Sequence, residues 1–178
     1  LLHWIIGDAS RCIVVEYMSD GMHIHHNDIN VLANQPTFDW HLEHLRSYMN
    51  VRPDYVDSVT WGDHKIKPYG AGANMVGLPG SSYSPDRFVR VAYTNSHYPS
   101  KSTEAENVSR MFHTLSSVAM VDGCAMMGDG TYEITLYTGG ISMNTKTYYM
   151  NTYDDPAIKA YPMSAADLDG SELFTFEY

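Results

Sequence analysis

The N-terminal part of the chain alternates short apolar runs with turn residues. Residues 3–8, 12–18, 21–26 and 29–34 are rich in Ile, Val, His and Tyr, and short polar or glycine-containing segments separate them. Runs of this length and composition are typical of β-strands joined by tight turns. The pattern therefore predicts an antiparallel meander of four strands.

A helix is predicted directly after this meander. Behind Pro36 and Thr37, apolar residues recur at intervals of four, three and four positions. This spacing places apolar side chains on one face of an α-helix. Residues 50–83, which are rich in proline, glycine and other turn formers, are predicted to be irregular. The residues of the predicted helix face are Phe38, Leu42, Leu45 and Met49.

Two further helices are predicted from their start signals. Ser84-Pro85-Asp86 combines a capping residue, a proline suited to the first turn and an acidic residue at the positive end of the helix dipole. Thr103 and Glu106 have the spacing of a capping box. The helix that starts at Thr103 is predicted to bury Val108, Met111, Phe112, Leu115 and Val118.

Strand patterns return after residue 130. The runs at 132–137, 145–151, 157–163 and 173–178 are rich in Tyr, Thr and other strand formers. Strands followed by helices and then by strands predict an α+β fold with a layered core. A chain of 178 residues is long enough for one sizeable core, so we predict one domain or a large part of one.

The charge and composition of the chain argue against two classes of binding partner, nucleic acids and anionic membranes. The formal net charge is −10, the isoelectric point is near 5.2, and the eleven basic residues are scattered. Nucleic acids and anionic membrane surfaces are bound through clustered Lys and Arg, so we predict neither as a partner. No apolar run approaches the roughly 20 residues that cross a bilayer, and the first residues lack a signal-peptide pattern. These features predict a cytoplasmic protein, with Cys12 and Cys124 as small buried apolar side chains.

A histidine-rich segment raises the question of a metal site. In a strand, His23 and His25 share one face while His26 points to the other. A zinc site needs three or four ligands, and His41 or His44 would have to supply the third. Because the chain has neither a zinc-protease spacing nor a CxxC pair, we interpret these side chains as solvated histidines and predict no metal or other cofactor.

Two polar residues at element boundaries are candidates for catalysis. Asn34 is predicted to end a strand just before Pro36, where a rigid carboxamide could donate to an oxyanion, although turn capping is the simpler interpretation. Arg87 is predicted in the first turn of a helix, where the dipole disfavours a cation. This favours a specific carboxylate or thiolate partner, with a surface ion pair as the alternative. The glycine-rich residues 70–77 lack the GxGxxG spacing and predict a flexible or site-lining loop.

Several long segments match one known family in order along the chain. They are NQPTFDWHLEHLRSYM, GLPG, DRFVRVAYTN, VSRMFHTLSSV, GDGTYEITLYT and YYMNTYDDPAI. On these segments the chain resembles the choloylglycine hydrolase family, which contains the bile salt hydrolases and the penicillin V acylases. The resemblance runs from Leu1 to Tyr178, is closest to the bifidobacterial bile salt hydrolases, and corresponds to the C-terminal half and a little more of a family member.

The resemblance implies a fold, a reaction and roles for two residues. It implies an N-terminal-nucleophile hydrolase with an αββα sandwich, in which an N-terminal cysteine attacks an amide and its own α-amino group serves as the base. By motif, Asn34 matches the asparagine that donates to the oxyanion, and Arg87 matches the arginine that steadies the nucleophile. The implied substrates are glycine- or taurine-conjugated bile acids, and the implied assembly is a homo-oligomer, a tetramer in this family.

The departures from the family pattern are equally informative. Cys12 and Cys124 match internal positions, so the nucleophilic cysteine has no counterpart here. Ala33 stands where Thr is usual, Ser81 where Asp is common, and Asp86 where Ser is common. We therefore expect residues 1–178 to be the C-terminal part of a single domain, to be completed by an absent N-terminal half and to be inactive alone. Penicillin V acylase and a non-catalytic fragment or binding module remain the alternatives.

Overall fold

The computed structural model describes residues 2–176. The chain divides into two compact units, Leu1–Tyr98 and Pro99–Tyr178. The first contains a three-stranded sheet, a hairpin and two helices, and the second contains one helix and a three-stranded sheet. The prediction that residues 1–178 form part of one domain stays a prediction.

The first sheet is an antiparallel meander. Its strands are β1 (Leu2–Gly7), β2 (Cys12–Met18) and β3 (Gly21–His26), in the order β1-β2-β3. His3 lies opposite Glu16 on β2, and Glu16 lies opposite His23 on β3. The first three predicted strands are therefore confirmed.

The fourth predicted strand, residues 29–34, is wrong. Asn30 has a φ of 55°, a left-handed conformation that interrupts the extended backbone. The carbonyl of Val31 accepts a 3.1 Å hydrogen bond from Asn27 Nδ2 instead of one from a neighbouring strand. The segment is irregular, and Val31 turns into the core.

The helix after the meander is shorter than predicted. It is α1 (Phe38–His44), continued by a 3₁₀ turn over Leu45–Tyr48. Its predicted apolar face is only partly correct, since Leu42 is 39% and Met49 79% exposed. Phe38 is buried as predicted and Leu45 packs half-buried against the core, whereas His41 joins the buried face because its ring stacks on Phe88 with centroids 4.4 Å apart.

The second helix is confirmed as α2 (Ser84–His97). Ser84 is its first residue and Tyr83 occupies the N-cap position, so the serine does not cap the helix as expected. The core of the unit lies between this helix, α1 and the first sheet. Its buried members are Val14, Val31, Phe38, Phe88 and Ala92.

The region between α1 and α2 is largely irregular, as predicted, but it contains a small hairpin. The hairpin consists of β4 (Val59–Trp61) and β5 (His64–Ile66). The glycine-rich segment forms a 3₁₀ turn at Ala73–Met75, and Asn74 Nδ2 ties this turn to both the carbonyl and the carboxylate of Asp54 at 3.1 Å.

The second unit begins with α3 (Glu104–Ser116). The predicted capping box is confirmed, because Thr103 Oγ1 accepts from the Glu106 amide at 3.3 Å and the Glu106 carboxylate accepts from the Thr103 amide at 3.2 Å. Phe112 is buried on the inner face of this helix. The other predicted core residues, Val108, Met111, Leu115 and Val118, are half-buried.

The second sheet is also an antiparallel meander. It consists of β6 (Tyr137–Ser142), β7 (Thr147–Thr152) and β8 (Lys159–Pro162). The strands predicted at 145–151 and 157–163 are confirmed within a few residues.

Two predicted strands of the second unit are wrong. Residues 132–136 hold only an isolated bridge at Tyr132, because the amides of Glu133 and Thr135 bond to carbonyls of the preceding loop, and Tyr137 is already the first residue of β6. Residues 173–176 form no strand, and residues 177 and 178 of that prediction lie outside the described residues.

The antiparallel sheets and packed helices confirm the predicted α+β class. Cys12 is buried as expected, whereas Cys124 is exposed because it lies in a surface turn. Between residues 2 and 176, no helix combines the length and the apolar character required to cross a bilayer.

Candidate active site

The fold brings together the two residues that were singled out as catalytic candidates. Asn34 lies in the exposed turn before α1, and Arg87 lies in the first turn of α2. Although they are 53 positions apart in the chain, Arg87 Nη2 donates a 2.7 Å hydrogen bond to Asn34 Oδ1. Asn34 is therefore part of a tertiary contact rather than a turn cap alone.

This hydrogen bond fixes the orientation of the carboxamide. A guanidinium group only donates, so the amide oxygen of Asn34 must face Arg87. The amide nitrogen Nδ2 is then directed elsewhere, and it has no acceptor among residues 2–176. The arrangement leaves two N–H groups free to donate to an incoming oxygen.

Arg87 does not have the carboxylate partner that its position suggested. Its Nε donates to the Ser82 carbonyl at 3.0 Å, and no carboxylate of the described residues pairs with it. The nearby carboxylate of Asp86 accepts a 2.6 Å hydrogen bond from Ser81 Oγ instead. The Ser82 carbonyl and the Asn34 carboxamide oxygen therefore hold the guanidinium without neutralising it, and a thiolate partner stays a prediction.

The loop beside Arg87 is tied to the same helix. Arg90 Nη1 donates to the carbonyls of Pro79 and Ser81 at 3.0 Å and 2.7 Å. These bonds fix the position of the Ser82 carbonyl that Arg87 uses. The guanidinium of Arg87 is therefore held by a loop that is itself anchored.

His41 supports the Asn34 turn from within the core. Its Nε2 lies 3.4 Å from the Asn34 carbonyl oxygen, and its ring is fully buried against Phe88. Burial lowers the pKa of His41, and because a carbonyl oxygen only accepts, Nε2–H is the donor to Asn34. The prediction that His41 is a solvated histidine is therefore wrong, because no local sequence pattern signals its burial.

An open cavity of about 500 Å³ lies directly beside the Asn34 carboxamide. Cavities of this size accommodate small ligands or a few residues of another chain segment. The Oγ of Ser84 is buried at its wall and has no hydrogen-bond partner among the described residues. The lining residues are His3, Asn34, Gln35, Pro36, Tyr83 and Ser84.

The histidines of the first sheet do not form a metal cluster. His23 and His25 share one face, as predicted, with parallel rings 6.3 Å apart, whereas His26 pairs with Asp28 on the other side. His25 contacts the buried carboxylate of Glu16. In the described part of the chain, no three His, Cys, Asp or Glu side chains are placed to hold a metal ion.

Sequence reasoning missed Glu16 and His3, which lie behind the candidate site. His3 Nδ1 is 3.3 Å from Glu16 Oε1, and His3 also lines the cavity. A lone glutamate at an inward position of the apolar strand CIVVEYM is the signal that could have drawn attention to this pair.

Comparison with known proteins gives a consistent result. The family model described as "Linear amide C-N hydrolases, choloylglycine hydrolase family" matches residues 1–176. A bile salt hydrolase/transferase of Bifidobacterium longum is 60% identical over 175 residues, which cover 98% of this chain and 55% of that protein. A conjugated bile acid hydrolase of Lactobacillus acidophilus is 39% identical, with 98% and 56% covered. The chain spans about half the length of the curated relatives it matches.

Solved structures show the same fold. A mutant of conjugated bile acid hydrolase from Clostridium perfringens superposes with a TM-score of 0.90 at 35% identity, covering 99% of this chain and 54% of that one. A penicillin V acylase from Agrobacterium tumefaciens has a TM-score of 0.70 at 23% identity, with 93% and 46% covered, a likeness of fold alone. These likenesses confirm the predicted fold class of the N-terminal-nucleophile hydrolase type.

Proposed function

Since this chain belongs to the choloylglycine hydrolase family of linear amide C–N hydrolases, we propose that it forms the C-terminal part of a bile salt hydrolase. In this proposal it contributes the oxyanion donor Asn34 and the supporting Arg87. The reaction is hydrolysis of the amide bond that joins a bile acid to glycine or taurine. The 60% identity to a bile salt hydrolase/transferase of Bifidobacterium longum supports this substrate class.

The hydrogen bond between Arg87 and Asn34 carries the proposal. It orients the carboxamide so that Nδ2 has no acceptor among the described residues and borders an open cavity. A preorganised donor of this kind stabilises the oxyanion by about 3–4 kcal/mol, because the hydrogen bond becomes stronger as negative charge develops on the substrate oxygen. Arg87 Nη1 also has no described acceptor, so it is available to favour a thiolate over a thiol.

The proposed mechanism uses a cysteine outside this chain. The cysteine thiol transfers its proton to its own α-amino group, and the sulfur attacks the amide carbonyl. Asn34 Nδ2 donates to the resulting oxyanion. The C–N bond then breaks, the α-ammonium group gives its proton to the leaving amine, and a thioester remains. Water attacks the thioester with the α-amine as base, Asn34 stabilises the second oxyanion, and the bile acid leaves as the C–S bond breaks.

The first sheet supports completion by further polypeptide. One face of β1, β2 and β3 packs on the helices, while the other exposes large apolar side chains to solvent. Apolar surface in one contiguous patch marks a contact region. We propose that the N-terminal half of the same domain covers it and places its cysteine in the cavity. The exposed side chains are Leu2, Trp4, Ile6, Tyr17, Met22 and Ile24.

A hybrid protein tests this function. In the hybrid, this chain replaces the matching C-terminal segment of the Bifidobacterium longum relative. We expect it to hydrolyse glycocholate, and we expect Asn34→Ala to lower kcat by about 10²–10³-fold. Asn50→Ala, an exposed asparagine substitution, is the control and should leave kcat unchanged. A folded hybrid without amidase activity would favour a non-catalytic role, and full activity of the Asn34 variant would refute the oxyanion role.

The substrate class is tested in the same hybrid. We expect glycocholate and taurocholate to be hydrolysed faster than penicillin V when the two substrate classes are assayed side by side. The opposite order, with the parent Bifidobacterium enzyme as reference, would assign the chain to the penicillin V acylases, whose solved representative shares the fold.

We also propose that the complete protein is a cytoplasmic bacterial enzyme that assembles into a homo-oligomer, a tetramer by family resemblance. Light scattering coupled to size exclusion tests the assembly. The expected mass is four times that of one hybrid chain, and a monomer mass would contradict the tetramer. Fractionation of the producing cell tests the compartment. We expect the protein in the cytoplasmic fraction, and recovery in another fraction would contradict the proposed location.

A further inference from the structure

Glu16 is an unusual residue for the interior of the first unit. Its side chain is only 1% exposed, and it is the one carboxylate among the described residues that is buried. Burying a carboxylate is costly unless hydrogen bonds and charges compensate it. No Lys or Arg of the described residues pairs with it, since its ionic contacts are with His3 and His25 only.

The strongest contact of Glu16 is with the start of α1. The Phe38 amide donates to both carboxylate oxygens, at 3.0 Å to Oε1 and 3.2 Å to Oε2. The N-cap residue Thr37 makes no side-chain capping bond. Glu16 therefore supplies the acceptor that this helix end lacks locally, from 22 positions away in the sequence.

This contact lies four residues from the proposed oxyanion donor. Three contacts hold the turn from Asn34 to Phe38. Glu16 accepts from the Phe38 amide at the end of the turn, and His41 Nε2 contacts the Asn34 carbonyl at its start. Arg87 donates to the side-chain oxygen of Asn34. A shift of about 1 Å in a catalytic group can reduce the rate by about 10²-fold. Loosening the Phe38 anchor is thus expected to misplace Asn34.

Glu16 also orients His3 at the wall of the same cavity. His3 Nδ1 is bonded to Glu16 Oε1 at 3.3 Å, and because the carboxylate oxygen accepts, Nδ1 is the donor. His3 Nε2 has no partner among residues 2–176, and the side chain lines the cavity with Asn34. A carboxylate behind an imidazole fixes its tautomer and its orientation, as in hydrolytic triads.

We propose that Glu16 is a positioning residue of the active site, whose buried carboxylate holds the Asn34 turn through the Phe38 amide and orients the His3 imidazole at the wall of the same cavity. The proposal rests on the function proposed above. Glu16 acts through its two partners and does not itself contact substrate. His3 offers its free Nε2 as a hydrogen-bonding group to whatever occupies the cavity beside Asn34.

The test uses Glu16→Gln in the hybrid protein. Gln retains one oxygen acceptor for the Phe38 amide but cannot accept through both side-chain atoms. We expect kcat to fall at least about tenfold while KM changes less than about twofold, because the misplaced donor affects the transition state more than binding. Glu43→Gln, which alters an exposed glutamate of α1, is the matched control and should leave both constants unchanged.

A second variant addresses His3. His3→Asn keeps an N–H that can reach Glu16 but removes Nε2, and we expect about a tenfold lower kcat with an unchanged unfolding temperature. His64→Asn, an exposed histidine substitution, is its control. Full kcat in folded Glu16→Gln overturns the positioning role of Glu16, and full kcat in His3→Asn overturns the part assigned to His3.

Spectroscopy keeps the proposal testable if Glu16→Gln does not fold. In the unsubstituted hybrid, we expect ¹⁵N shifts that report a proton on His3 Nδ1, and slow exchange of the Phe38 amide. A bare Nδ1 or a freely exchanging Phe38 amide overturns the proposal. An unsubstituted hybrid that binds but does not cleave glycocholate overturns the proposed function instead, so the two failures are distinguishable.

Discussion

Two glutamates, one in each unit, organise their surroundings in different ways. Glu16 is buried in the first unit and accepts from a backbone amide and an imidazole. Glu104, in the second unit, accepts from three hydroxyl groups at the protein surface. The hydroxyls and their distances are Tyr149 at 2.6 Å, Ser142 at 2.7 Å and Thr145 at 2.8 Å.

The surroundings of Glu104 and Glu16 differ in whether they leave hydrogen-bonding groups available to a ligand. The hydroxyls around Glu104 satisfy its carboxylate, so the 530 Å³ cavity beside it offers no unpaired acidic oxygen to a ligand. At the other cavity, His3, which contacts Glu16, leaves its Nε2 unpaired among the described residues, and Asn34, in the turn that Glu16 holds through Phe38, leaves its Nδ2 unpaired. We infer that the groups left unpaired by a hydrogen-bond network, rather than the carboxylate at its centre, distinguish the candidate site from the surface network around Glu104.

The largest expected effect is on the core that supports the Glu16 network. Phe88 is buried between Phe38 and His41, with ring centroids at 6.3 Å and 4.4 Å. Phe88→Ala should lower the free energy of unfolding by about 3–5 kcal/mol, because it leaves a cavity under the Asn34 turn. Urea denaturation of the hybrid measures this change. Phe174→Ala, at a half-exposed position of the second unit, should cost far less, and equal losses would contradict this difference.

The next effect concerns the bond that orients Asn34. Arg87→Ala should reduce kcat/KM by about 10–100-fold, the equivalent of one hydrogen bond to a charged group. It should also move the midpoint of thiol alkylation to higher pH, because a nearby guanidinium favours the thiolate. Arg46→Ala removes an exposed arginine and is the control. An unchanged alkylation profile would show that Arg87 does not act on the nucleophile.

In the second unit, the capping box should have a moderate effect on stability alone. Thr103→Ala removes the side-chain acceptor of the Glu106 amide and should cost about 1 kcal/mol of unfolding free energy. Thr175→Ala, at an exposed position without regular structure, should cost nothing measurable. Because this unit contributes no proposed catalytic group, kcat of the hybrid should stay constant. A large fall in kcat for Thr103→Ala would contradict the division between the two units.

The smallest effect is expected at Glu104. Hydrogen bonds from Tyr149, Ser142 and Thr145 hold the pKa of Glu104 below its ordinary value of 4.5. A lowered pKa in the folded state adds stability above the ordinary value, and this stability is lost as the pH falls from there through the folded-state pKa. Glu104→Gln should therefore lower the Tm slightly at pH 6 and flatten its decline in acid. Glu172→Gln, at an exposed position, should leave the curve unchanged, and a flattened curve there would remove the assignment to Glu104.

Local signals in the sequence predicted much of the fold. Local sequence was enough to predict the capping box at Thr103, the start of α2 and the first three strands, because each depends on residues within a few positions of one another. The strand predicted at 29–34 failed because the tertiary bond from Asn27 to Val31 and the left-handed Asn30 override strand propensity.

The site was less accessible to such reasoning. Asn34 and Arg87 were each found as boundary residues, but their 2.7 Å contact spans 53 positions, and only the family motifs had linked them to one function. Glu16 reaches Phe38 across 22 positions and was missed. His41 was misjudged because burial, rather than sequence context, decides whether a histidine is solvated.

Asn34→Asp in the hybrid provides the most direct test. An aspartate oxygen can still accept from Arg87 Nη2 in the place of Asn34 Oδ1, so the turn and its stability should be preserved. The N–H donor, however, is replaced by an oxygen that repels a developing oxyanion. We predict that kcat for glycocholate falls by at least about 10²-fold while the Tm is unchanged or higher. A variant that turns over glycocholate at the unsubstituted rate would contradict the account.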